Sequence, residues 1–107
     1  MKETDRIIIM KKISHFTLDI IDFHDELIEQ KKAPIAKRIL TSSFRAICSL
    51  QNLFESEKIS EIQNNKKNAI SNFKNAIYWL EQCERSGYLF KEDLLLTAHE
   101  LYSYCTG

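Results

Sequence analysis

An apolar stripe in the first third of the chain constrains the fold more than any other sequence feature. Apolar residues recur there at alternating steps of four and three positions, the spacing that places side chains on one face of a helix. The stripe comprises Ile9, Ile13, Phe16, Ile20, Phe23 and Leu27, with Met10, Ile21 and Ile28 beside it. It predicts one long helix from about Asp5 to Lys31, and its width indicates contact with more than one neighbouring helix.

A second helix follows a turn at Lys32-Ala33-Pro34. The residue before a proline avoids the helical conformation, and proline suits the first position of a helix. The second helix is therefore predicted to begin at about Pro34 or Ile35. Its core-facing residues are predicted to be Ala36, Leu40, Ser43, Ile47, Leu50 and Phe54.

Two more helices complete the chain. Ser60 with Gln63 three positions later matches a capping box, which predicts that the third helix begins there. This helix is predicted to end at about Arg85, because Gly87 suits the left-handed position that follows a helix. A fourth, shorter helix is predicted over residues 91–104. The predicted inward residues are Ile62, Ala69, Ile70, Phe73, Ala76, Ile77, Leu80 and Cys83 in the third helix and Leu94, Leu95, Ala98, Leu101, Tyr102 and Cys105 in the fourth.

Four helices joined by short loops predict an all-α fold, an antiparallel up-down-up-down four-helix bundle, in a single domain spanning residues 1–107. The chain has two Gly and one Pro and lacks Asn-Gly and Asp-Gly pairs, so it has no hairpin signal. Its apolar N-terminal run from Ile7 to Met10 is too short for a signal sequence, and no stretch approaches the ~20 apolar residues of a membrane span. We therefore expect a cytoplasmic protein with no membrane partner.

The formal net charge is zero, with 15 acidic and 15 basic residues, but the charges are unevenly distributed. Residues 31–54 contain no acid and carry the bases Lys31, Lys32, Lys37, Arg38 and Arg45. Residues 15–29 carry the acids Asp19, Asp22, Asp25, Glu26 and Glu29. Two interpretations stay open. The two segments are solvated helix faces that complement each other, or the basic segment neutralises the phosphates of a nucleic acid.

No pattern in the sequence indicates catalysis, a metal or a cofactor. Di-iron bundles carry Glu-x-x-His pairs, but none of His15, His24 and His99 has an acid three positions earlier. The chain has no Gly-rich phosphate loop, and its three cysteines match no zinc spacing. Two of these, Cys48 and Cys83, lie in apolar helical runs and are predicted to be small core residues. We therefore predict a protein that is not an enzyme and has no cofactor.

Aromatic residues are numerous for a bundle of this size, with six Phe, four Tyr and one Trp. Phe44 and Trp79 lie off the predicted core stripes of their helices, and Tyr78 adjoins Trp79. Large apolar side chains off the core usually mark an interface, which predicts that these three residues take part in a homo-oligomer. The alternative is that the stripes are simply wide.

Several of these residues also carry a resemblance to a family. Pro34-Ile35-Ala36-Lys37, then Ser42, Ala69 and Tyr78-Trp79-Leu80 resemble the bacterial four helix bundle protein family, which is related to proteins encoded by intervening sequences in 23S ribosomal RNA genes. The resemblance covers residues 34–80, and Ser86-Gly87-Tyr88-Leu89 matches the end of the third helix. The chain departs from it where the family tends to carry glutamates, at the asparagines Asn52, Asn72 and Asn75.

The resemblance implies an up-down bundle that assembles as a ring-shaped homopentamer with no established enzyme activity. Related accessory proteins of diversity-generating retroelements are similar in fold and bind a reverse transcriptase and nucleic acid, but they are strongly basic and this chain is neutral. Our leading hypothesis is therefore a non-enzymatic, self-associating bundle that acts as a binding or scaffold module. The alternative is a nucleic-acid-binding accessory protein that uses the basic surface at residues 31–45.

Overall fold

The computed structural model describes residues 3–106, which form four α-helices and contain no strand. The helices are α1 (Glu3–Glu29), α2 (Ala33–Glu55), α3 (Ile59–Arg85) and α4 (Glu92–Thr106). These limits lie within two residues of those expected from the sequence, and the predicted all-α fold class is confirmed. None of the described helices is both long enough and apolar enough to cross a membrane.

Each helix packs against the next one in the chain, and α4 also packs against α1. The short connections make successive helices antiparallel, so the bundle runs up-down-up-down. The C-terminal ends of α1 and α3 therefore lie at the same end of the bundle as the N-terminal ends of α2 and α4. This end holds the residues of the connection between α1 and α2 and those that follow α3.

The predicted stripe of α1 forms one side of the core. Each of its six residues is at most 4% exposed. Phe16 and Phe23 of this stripe, together with Phe73 of α3, are the largest of the side chains with almost no exposure. Small residues of α2, Ala36 and Ala46, are also fully buried and allow the neighbouring helices to approach closely. Burial of this apolar surface is the main favourable contribution to folding.

The end of α3 is fixed by a Schellman motif. The Tyr88 N–H donates to the Cys83 carbonyl (3.2 Å), and the Gly87 N–H donates to the Glu84 carbonyl (3.0 Å). Gly87 adopts φ 71°, the left-handed conformation that this motif requires. The sequence prediction for Gly87 is confirmed.

The end of α1 has the same motif without a glycine. The Lys32 N–H donates to the Leu27 carbonyl (2.8 Å), and the Lys31 N–H donates to the Ile28 carbonyl (3.0 Å). Lys31 takes the left-handed position with φ 62°, which is unfavourable for a residue with a Cβ atom. This turn projects Lys31 and Lys32 from the same end of the bundle as Tyr88.

The start of α3 differs from the prediction. The residue at the N-cap is Lys58, which makes no side-chain capping bond. The predicted capping box of Ser60 and Gln63 is therefore wrong, because the helix begins at Ile59 and Ser60 already lies inside its first turn. The first turns are mostly exposed, and Ile62, predicted to face inward, is 38% exposed.

The three cysteines have different environments. Cys83 and Cys105 are buried, whereas Cys48 is exposed, so the prediction that Cys48 belongs to the core is wrong. Its neighbour Ile47 is buried, and one residue along a helix turns the side chain by about 100°, which takes Cys48 off the core stripe. The structure places Cys83 in the core as predicted.

Candidate functional site

Five basic side chains predicted as candidates gather on one face of the bundle, formed by α2, α3 and the turns at their shared end. They line two neighbouring concavities of about 450 Å³ and 460 Å³. We call this surface the basic–aromatic face and define it as Lys31, Lys32, Lys37, Arg38, Arg45, Tyr78, Trp79 and Tyr88.

Helical spacing explains how these residues come together. Lys37, Thr41 and Arg45 are four residues apart and share one side of α2. On α3, Asn75 and Trp79 are likewise four residues apart and lie opposite them in the same concavity. The first concavity is lined by Pro34, Lys37, Arg38, Thr41, Ser42, Arg45, Asn75 and Trp79. The second is lined by Lys31, Lys32, Pro34, Ile35, Arg38, Tyr78, Trp79, Gln82, Ser86 and Tyr88.

Contacts between cations and aromatic rings order this face. The Arg38 guanidinium lies over the Trp79 ring at 4.8 Å from its centroid. The Lys32 ammonium lies 4.4 Å from the centroid of Tyr88. Tyr78 meets Trp79 edge-on, with ring centroids 5.1 Å apart and an interplanar angle of 75°. Each cation–π contact contributes about 0.5–1 kcal/mol at an exposed site, enough to favour one arrangement of the side chains.

The face carries positive charge without direct compensation. Neither concavity is lined by an Asp or Glu among the residues described. The Lys and Arg ion pairs found within residues 3–106 join α1 to α4 or its preceding turn, as Lys12 with Glu100 and Lys91 with Glu26 (2.5 Å). Within residues 3–106, no ion pair joins the basic segment to the acids of α1. The interpretation that these two segments form complementary faces therefore gains no support from ion pairs.

The ion pair between Lys12 of α1 and Glu100 of α4 shifts the pKa of both groups. The hydrogen bond from Lys12 lowers the pKa of the Glu100 carboxyl, and the same bond raises the pKa of Lys12. Both groups are well exposed to solvent, so the contribution of this pair to stability is small. Among the acids of α1, Glu26 pairs with Lys91, and none of the described ones lines the concavities of the basic–aromatic face.

Neutral amides hold α2 and α3 together beyond the face. Asn72 Nδ2 donates to Ser49 Oγ (2.7 Å), and Asn65 Nδ2 donates to Ser56 Oγ (2.6 Å). Asn72 is one of the positions at which the family resemblance leads us to expect a glutamate. A carboxylate has no proton to donate at neutral pH, so the amide makes a bond here that a glutamate could not.

Two of the three aromatic residues predicted to form an interface line the basic concavities, and the third does not. Tyr78 is 51% exposed and Trp79 is half-buried at the margin of the core, and both line the basic concavities. Phe44 is 38% exposed and lines neither concavity. The face therefore includes two of the three residues.

Sequence reasoning missed part of this surface. Tyr88, which is not among the predicted candidates, is 38% exposed and contacts Lys32. Asn75 and Gln82 also line the concavities. The available signal was the three- and four-residue spacing of Asn75, Tyr78, Trp79 and Gln82 on α3, which places them on one side of the helix.

The chemistry available at this face is binding. Guanidinium and ammonium groups pair with phosphate or carboxylate, and aromatic rings and guanidinium planes stack with flat groups. Within the described part of the chain, no cluster of three or more His, Cys, Asp or Glu side chains is placed to hold a metal ion. Together the fold and the face define a helical bundle with one surface rich in cations and aromatic rings.

A solved structure shares this fold. It is the crystal structure of a protein with unknown function from the S23 ribosomal protein family of Bacteroides thetaiotaomicron VPI-5482. The two structures superpose with a TM-score of 0.81, and their sequences are 21% identical. The match covers 91% of this chain and 94% of that chain. No family model and no curated protein matches the chain. At this identity the likeness shows the fold alone.

Proposed function

We propose that this chain is a non-enzymatic binding module whose basic–aromatic face binds nucleic acid. The observation that carries the proposal is the convergence of five cations and three aromatic rings around two concavities that no described acid lines. Phosphates supply the anions that Lys and Arg pair with, and nucleobases supply flat rings that aromatic side chains stack with. An acidic peptide would use the cations and leave the rings without a matching group.

The zero net charge of the chain predicts how such binding behaves. A neutral protein has little long-range attraction for a polyanion, so affinity depends on contacts within the face. These contacts release counterions, and affinity should fall steeply as salt rises. We expect modest affinity at low salt that weakens strongly by physiological salt.

The test is a titration of labelled single-stranded and duplex DNA of about 12 nucleotides or base pairs, followed by anisotropy at about 50 and 200 mM salt. The variant removes two lining charges, Lys37→Gln with Arg45→Gln. The matched control removes two exposed charges of α3 that line neither concavity, Lys67→Gln with Lys74→Gln.

The variant should reduce the salt slope of single-strand affinity by about 0.7 for each phosphate that it no longer neutralises, and the control should change it far less. Equal effects of the two double variants would contradict the proposal, because they would show charge attraction without a site. The proposal also fails if neither polymer binds at low salt, or if polyglutamate of equal charge binds as tightly as the DNA.

Self-association is a second candidate, and we propose it on a separate observation. α1 exposes several large aliphatic side chains away from the core, the most exposed being Leu18 at 62%. The others on this helix are Ile7, Ile8, Ile21 and Ile28. A second copy of the chain would cover apolar surface of this kind, and the family resemblance implies five copies. We also propose distant membership of the family to which the structural neighbour belongs.

Light scattering at micromolar concentration tests the assembly. We expect a mass above that of the 12.6 kDa chain, and five times that mass if the resemblance extends to the assembly. Leu18→Asp should dissociate the oligomer, whereas Leu96→Asp, a comparably exposed leucine on α4, should do so less. A wild-type protein that is monomeric throughout would rule out self-association and leave the nucleic-acid proposal intact.

A further inference from the structure

We infer that the basic–aromatic face binds single-stranded rather than double-stranded nucleic acid, with unpaired bases stacking on its exposed rings. The inference rests on the proposed nucleic-acid binding and adds the form of the ligand. It comes from the placement of Tyr78, Tyr88 and Arg38, which phosphate neutralisation alone does not require.

Tyr78 is 51% exposed and Tyr88 is 38% exposed, and both lie among the Lys and Arg side chains of the second concavity. A duplex stacks its bases on each other and presents mainly phosphates and groove edges, so exposed rings gain little from it. A single strand presents the π-faces of its bases, which stack on aromatic side chains whatever their sequence.

Arg38 lines both concavities. Its guanidinium carbon lies over the Trp79 ring, 4.8 Å from the ring centroid, and the residue is exposed. The contact with Trp79 favours this position of the guanidinium group in the absence of a ligand. The exposed part of the group can then take a nucleobase, since bases stack on guanidinium groups as well as on aromatic rings.

The two concavities have three cations each and differ in their aromatic rings. The second adds Tyr78 and Tyr88 to the Trp79 ring that both share, whereas the first has hydroxyl and amide groups among its other lining residues. Phosphates can pair with the cations of either concavity, and bases have more rings to stack on in the second. From residue 34 to residue 45 the helix rises about 17 Å, a distance that roughly three to five nucleotides span.

The experiment compares three polymers of equal length and similar charge per strand: oligo(dT), an abasic oligomer with the same backbone, and a duplex. Trp79 is the only tryptophan of the chain, so its emission reports on this face directly. Anisotropy of labelled strands gives the affinities at about 50 mM salt. We expect oligo(dT) to bind at least about fivefold more tightly than the abasic oligomer, and to change the Trp79 emission more.

Variants assign the preference to the rings. Tyr78→Ala should bring the ratio of the oligo(dT) and abasic affinities toward one, whereas Tyr78→Phe, which keeps the ring, should retain the ratio. The half-exposed position of Tyr78 makes the folded state tolerant of both changes, and far-UV circular dichroism checks this.

The outcomes separate the two proposals. Equal, salt-dependent binding of all three polymers would overturn the single-strand inference and support the proposed function. Tighter binding of the duplex than of oligo(dT) would overturn it in the same way. Absence of binding by every polymer at low salt would remove the proposed function and the inference with it.

Discussion

Exchanging the residues at two equivalent helix ends should change the stability of this protein in opposite directions. α1 and α3 end in the same Schellman motif at the same end of the bundle, but the left-handed residue is Lys31 in one and Gly87 in the other. A Cβ atom in this conformation costs about 1–2 kcal/mol, and glycine avoids that cost. We expect Lys31→Gly to raise the free energy of unfolding and Gly87→Ala to lower it.

The structure sets the magnitude at Gly87. A Cβ atom built there would meet no other atom within 4 Å, so the substitution adds conformational strain without a steric clash. Replacing glycine also reduces the conformational entropy of the unfolded chain. This effect raises the free energy of unfolding by about 0.4–1 kcal/mol and offsets part of the strain. The net loss for Gly87→Ala should be about 0.5–1 kcal/mol, and the gain for Lys31→Gly should be similar. A change of about 1 kcal/mol corresponds to roughly 4 °C in Tm for a domain of this size.

Urea unfolding followed by far-UV circular dichroism measures both effects. The matched control is Lys31→Ala, which removes the charge but keeps the Cβ atom, and its stability should stay near that of the wild type. An increase for Lys31→Ala equal to that for Lys31→Gly would refute the argument, because charge rather than backbone strain would then explain the gain. An unchanged stability of Gly87→Ala would refute it as well. Lys31→Gly should also weaken DNA binding while it stabilises the fold.

Three further predictions concern the core. Ser43→Ala should raise the free energy of unfolding by about 1 kcal/mol, because the buried Ser43 hydroxyl has no hydrogen-bond partner in the described structure. Ser42→Ala is the control and should show no such gain in urea, since the Ser42 hydroxyl donates to the Arg38 carbonyl (2.7 Å). Phe73→Ala should cost about 3–5 kcal/mol in the same assay, since Phe73 is fully buried. Burial raises the pKa of the Cys105 thiol from 9.0 to about 11. The unfolded thiol therefore ionises first, and stability should fall between these two pH values; melting curves of Cys105→Ala should lack this part of the pH dependence.

The helices and their core faces could be predicted because they follow from local geometry. The stripe from Ile9 to Leu27 required only the helical repeat, and Gly87 required only the preference of glycine for a left-handed backbone. Predictions failed where one residue of register decides the outcome. Ser60 does not cap α3, and Cys48 lies just off the buried stripe of α2.

The candidate site was predictable in part for the same reason. The run of bases between Lys31 and Arg45 is visible in the sequence, as are the neighbours Tyr78 and Trp79. Which aromatic residues line the concavities, and the exposure of Tyr88, depend on how α2 and α3 pack and on where the chain leaves α3. Neither is a property of one helix.

The sequence by itself determined four amphipathic helices, their antiparallel order and the side of each that faces the core. Backbone periodicity and burial of apolar surface define the helices and their core-facing sides, and the short connections define the antiparallel order. Only the tertiary structure decided that Arg38 lies over Trp79 and Lys32 over Tyr88, away from the acids of α1. Contacts between helices depend on their mutual rotation and axial register, which the packing of the whole core fixes.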